Sequence, residues 1–233
     1  MTNTLHRQGS IESLRGDFVI FAHAASGYNK EGCAPKLKEF LLICLKYDPV
    51  NMGTGEFYPQ KASFIKELLK KRRTEGMTPE EREEALKRRW AEMIGRIDDD
   101  SGAYAVFDDS EKLSRTVSDI KRANLGISIC VSGLHDLVDE ILRQNGIIRH
   151  SIEHSLGIHG NVGRLPPRHI LEISSMCGHG LVSFSLVRKV MEEVKLGRIT
   201  PQRGAEYLAK PCLCGVFNRA RAAILLHQYR DRV

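Results

Sequence analysis

The chain has 233 residues, 42% of them hydrophobic, and a formal net charge of +6. That content supports a packed core, and six cysteines in such a length are not a small secreted disulfide framework. The longest apolar runs, 18–22 and 40–45, fall far short of the ~20 residues of a membrane span, and the first ten residues lack the apolar core of a leader, so the reading is a soluble cytoplasmic protein with no membrane partner.

Residues 17–24 form an apolar run of strand length, rich in β-branched and aromatic residues. A loop of small residues follows, and Pro35 opens a helix to about residue 45 with Leu37, Phe40, Leu41 and Cys44 on one face. Residues 48–59 read as a loop. A helix is expected over 60–73. A second begins after Thr78, which offers an N-cap ahead of Pro79, Glu80 and Glu81. Two basic runs, Lys70-Lys71-Arg72-Arg73 and Lys87-Arg88-Arg89, raise the question of nucleic acid. The second is interleaved with glutamates and reads as a solvated helical face. No finger, RRM, KH or helix-turn-helix signature is present, so nucleic acid is disfavoured.

Residues 103–107 read as a strand, 110–123 as a helix and 127–132 as a further strand, which runs into Ser132-Gly133 and a helix ending at Asn145-Gly146. Strand and helix alternate, which predicts an α/β fold with a parallel or mostly parallel sheet and flanking helices. Beyond Pro166-Pro167 only helices are expected, over about 167–175, 181–196, 201–210 and 219–230. The organisation expected is an α/β body over 1–165 and an all-helical C-terminal subdomain over 166–233.

The C-terminal region holds the chemistry. Cys177 and His179 lie in Met176-Cys177-Gly178-His179-Gly180, and Cys212 and Cys214 in Pro211-Cys212-Leu213-Cys214-Gly215. Both segments connect predicted helices, where burying an apolar face is not the organising demand. Thiolates select zinc, copper(I) or iron–sulfur clusters. Cys44 and Cys130 read instead as core residues. Two metal readings remain open. Three thiolates on a [4Fe–4S] cluster would leave one iron for a substrate; the three cysteines with His179 would make a Cys₃His zinc site.

His150 and His154, four residues apart beside Glu153, are candidates for proton transfer at the junction of the two regions. Two strand-to-helix turns, Ser26-Gly27 and Ser132-Gly133, are candidate anion sites through their backbone N–H groups. Neither matches a nucleotide-binding motif, and Asp98-Asp99-Asp100 reads as an exposed loop rather than a magnesium site. The function expected is an iron–sulfur enzyme of lyase or hydro-lyase type acting on a small anionic substrate. The alternative is a zinc-stabilised binding or accessory protein without a reaction of its own. A homo-oligomer is compatible with either.

Overall fold

A computed structural model describes residues 7–54 and 76–232. The expected helix over 60–73 and its basic run lie outside the described residues. A single turn, α1 (Ile11–Leu14), capped by the Ser10 hydroxyl on the Ser13 N–H, leads into β1 (Phe18–His23). Then follow α2 (Ala34–Leu45), β2 (Asn51–Gly53), α3 (Pro79–Gly95), β3 (Ala103–Phe107), α4 (Ser110–Ala123), β4 (Ser128–Ser132) and α5 (His135–Gln144). The chain ends in α6 (Arg168–Ser174), α7 (Phe184–Lys195), α8 (Pro201–Ala209) and α9 (Arg219–Tyr229).

The sheet corrects the expected topology. Its order is β2-β3-β1-β4, and every hydrogen-bonded pair is antiparallel. A parallel sheet was inferred from helices that alternate with strands, but α3 is not a crossover. It is inserted between β2 and β3, which are antiparallel neighbours, Met52 facing Ala105. β2, inside the expected loop over 48–59, has only three residues and one large apolar side chain and so carries no strand signal of its own. With β2 in place, β3 lies between β1 and β2, and β1 lies between β3 and β4. Each half is a split β-α-β unit, the ferredoxin-like arrangement.

Both faces of the sheet are covered. Strand alternation sends Phe18, Ile20 and Ala22 to one face. There they meet Leu37, Phe40 and Leu41 of α2 and Leu113, Val117 and Ile120 of α4, with Trp90 of α3 at the same core. Val19 and Phe21 point the other way, with Val106. They meet Ile170 and Ile173 of α6, Val187 and Met191 of α7, Leu208 of α8 and Leu225 and Leu226 of α9. The expected C-terminal helices are therefore the layer that covers the second face. Good caps start three of them: Ser183 accepts from Leu186 N–H, Thr200 from Arg203 N–H and Asn218 from Arg221 N–H.

A buried ionic network ties that layer to the start of β1. Asp17 accepts from Arg7 Nη1 at 2.5 Å, Arg221 Nη1 at 2.8 Å and Asn218 Nδ2 at 3.0 Å. Burial alone would push the Asp17 carboxyl up, but the two guanidinium charges prevail and hold it below its ordinary value. No helix among the described residues is long and apolar enough to cross a membrane.

Candidate metal centre

Two turns of the same design face each other in the C-terminal layer. In the turn after α6, the Cys177 carbonyl accepts from the Gly180 N–H at 3.0 Å. In the turn after α8, the Cys212 carbonyl accepts from the Gly215 N–H at 3.1 Å. Each closes on a glycine in the left-handed region, with φ of 69° at Gly180 and 71° at Gly215. Both therefore read donor-x-donor-Gly, and each presents two soft donors from one tight loop.

The structure brings all four predicted ligands together. Cys212 Sγ lies 3.8 Å from Cys214 Sγ, and Cys214 Sγ lies 3.7 Å from His179 Nδ1. The Cys212 thiol also hydrogen-bonds to Cys177. Cys177, Cys212 and Cys214 are 2%, 5% and 1% exposed, while His179 is at the surface. The 3.8 Å separation is that of a thiol–thiol hydrogen bond, and two sulfurs at ~2.3 Å from one tetrahedral ion would stand about equally far apart.

The proton inventory is uneven. The hydrogen bond from Cys212 lowers Cys177 to about 6 and does the same for Cys214, in both cases against burial. Cys212, hydrogen-bonded to both of the others, is raised. Backbone N–H groups of His179, Leu181 and Val182 support charge on Cys177, and that of Val216 supports it on Cys214. Two of the three sulfurs are thus prepared to be thiolates. They bond to one another rather than diverging around a common point. Among the described residues, no group of three or more His, Cys, Asp or Glu is arranged to hold a metal ion as it stands. Loading would replace the thiol proton and turn the side chains inward.

The site leans on the sheet. Gly53 of β2 and Gly215 of the second turn meet back to back. A Cβ on Gly53 would fall 2.2 Å from the Cys214 carbonyl oxygen, and one on Gly215 would fall 2.2 Å from that of Met52. Asn51 Nδ2 donates to the Phe217 carbonyl at 3.0 Å, and Arg219 Nε to that of Val50 at 2.7 Å. Tyr104 of β3 is near enough to Cys214 for the thiolate charge to raise it, after burial, which is the larger cause. Its ring stacks on Phe21, and His23 sits edge-on to it at 5.6 Å. His23 Nε2 is a buried nitrogen without a hydrogen-bond partner among the described residues, and burial lowers the His23 imidazole. Sequence reading missed these neighbours; the legible signal was the donor-x-donor-Gly pattern, present twice.

The other candidates fall elsewhere. His150 is exposed and contacts Ser151; the exposed His154 lies with its ring 5.2 Å from that of His135. The two candidate anion turns do not form one cleft. β1 and β4 are antiparallel, so Ser26-Gly27 and Ser132-Gly133 leave opposite ends of the sheet. At the first, the N-terminus of α2 is already served by the chain: Asp99 accepts from the Gly32 and Ala34 N–H groups, each at 2.8 Å. At the second, Gly133 meets a packing demand, since a Cβ there would lie 2.8 Å from the Phe18 ring. Comparison of the chain with protein-family models, with curated proteins and with solved structures finds no match.

Proposed function

We propose that Cys177, His179, Cys212 and Cys214 take one zinc ion in a Cys₃His site, and that the protein is a zinc-stabilised binding or accessory protein. The observation that carries this reading is the 3.8 Å separation of Cys212 and Cys214 together with the burial of all three sulfurs. Structural zinc sites are closed and four-coordinate. A cubane cluster instead gives each thiolate its own iron at a separate corner, which requires wider spacing than ligands of one ion. Zinc would supply charge to hold thiolates in a dry environment and would fasten the α6–α7 and α8–α9 connections to each other. The four residues of this chain orient the donors, and the two positive-φ glycines keep both turns tight.

The iron–sulfur reading keeps one specific support. His179 is exposed, so the fourth position faces solvent and a small anionic substrate could reach it. In that case Cys177, Cys212 and Cys214 would hold a [4Fe–4S] cluster for lyase-type chemistry.

Metal analysis decides between them. Protein isolated anaerobically should be colourless, with one zinc per chain and no acid-labile sulfide. The Cys212→Ser variant should lose the zinc, and hydrogen exchange should rise in α6–α9, because binding and folding are coupled at such sites. A brown protein containing iron and sulfide would overturn the zinc assignment.

A further inference from the structure

A cavity of about 290 Å³ lies between α6 and the end of the chain, lined by Ser10, Arg168, His169, Glu172, Tyr229 and Arg232. Its single carboxylate is already committed. Glu172 is 2% exposed, and it accepts from Arg168 Nε at 2.9 Å on one oxygen and from the Tyr229 hydroxyl at 2.9 Å on the other. The cations outnumber it. Arg232 stands over the Tyr229 ring at 5.0 Å. Among the described residues, Arg232 has no carboxylate partner, and neither does Arg188 of α7. The His169 ring is 5.8 Å from that of Tyr229. Burial lowers this imidazole, and the charges of Arg232 and Arg188 lower it further against the opposing pull of Glu172. Among the described residues, the lining and the adjacent Arg188 therefore carry more cations than carboxylates.

We propose that this cavity binds the phosphoryl group of a small molecule. Arg232 supplies a planar set of donors for phosphate oxygens, which suit paired hydrogen bonds. His169 adds a donor that becomes charged once an anion offsets its cationic neighbours. The volume suits a phosphate with a small organic group. Tyr229 and His169 give that group an aromatic wall. This assignment does not rest on the metal reading.

The test uses the full chain and two probes, inorganic phosphate and glycerol phosphate, with calorimetry and NMR of the histidine ring protons. Both probes should bind, and binding should raise the titration midpoint of His169, because an added anion favours imidazolium. Tighter binding of the ester would identify a phosphate monoester as the ligand; equal binding would identify free phosphate. Arg232→Gln, at an exposed position, should weaken either probe about tenfold, the loss of a charged hydrogen bond, and leave the fold intact. Failure of both probes to bind, unchanged affinity in Arg232→Gln, or a stationary His169 midpoint would overturn the proposal.

Discussion

The two faces of the sheet are built from the same alternating strands but stabilised in different ways. On the Phe18 face, α2 and α4 bury aromatic and branched side chains, with Cys44 as one more small apolar residue whose thiol is pushed up by burial. On the Phe21 face the apolar layer continues into three neighbouring sulfurs and ends in the Asp17–Arg221 network. Apolar burial is non-directional and roughly proportional to the area removed from water. Thiol clusters and buried ion pairs are directional, and they penalise any partner left alone. Both faces thus supply apolar burial, and the Phe21 face adds directional contacts that fix how the C-terminal helices are seated.

That comparison predicts opposite signatures for substitutions on the two faces. Phe40→Ala, at a fully buried position of α2, should cost about 3–5 kcal/mol in chemical denaturation. The loss should be the same with and without chelator, since the side chain is on the face away from Cys177, Cys212 and Cys214. A chelator-dependent loss would break the division. Next in size is Asp17→Asn, which leaves Arg7 and Arg221 buried around a neutral group and should cost about 3 kcal/mol near neutral pH. The folded carboxyl is held below its ordinary value of ~3.9, so its contribution is complete above that pH. It is lost as pH falls through the folded value, where the native state must take up the proton. Wild-type stability should therefore fall on the acid side, with a shallower fall in Asp17→Asn. Equal acid limbs in urea titrations would remove Asp17 from the account.

The parts of this design that were legible in the sequence are the local ones. Strands 103–107 and 128–132 and the helices after Ser183, Thr200 and Asn218 declare themselves through apolar period and caps. The four donors are equally local, since each pair lies within one turn. Topology was lost on one short element. Asn51–Gly53 follows Asp48, whose φ is 50°, and contains Met52 as its one large apolar residue, so it has the composition of a loop. What makes it a strand is pairing with Ala105 and Tyr104, about fifty residues later. The carboxylate of Asp99 at the start of α2 and the guanidinium of Arg221 at Asp17 are likewise contacts across long stretches of chain. Neither has a spacing that a sequence can display.

The smallest predicted effect is the most informative, because it acts where the sheet and the thiol turns touch. Gly53 lies on the edge strand, and its missing Cβ admits the Cys214 carbonyl. Gly53→Ala places a methyl 2.2 Å from that oxygen, closer than any real contact, and both neighbours are backbone that cannot rotate away. Either β2 leaves β3, or the Cys212–Gly215 turn moves off the sheet. The pairing of Met52 with Ala105 resists the first, and Arg219, bonded to the Val50 carbonyl, resists the second. Overpacking of this kind costs about 1–3 kcal/mol. Displacement of the turn carries Cys212 and Cys214 together away from Cys177 and His179, so the variant should also bind the proposed zinc more weakly than wild type in a competition with a chromophoric chelator. Loss of stability with unchanged zinc affinity would mean that the edge strand yields and the donor turns hold their geometry without it, which would separate the two faces more fully than the shared contact implies.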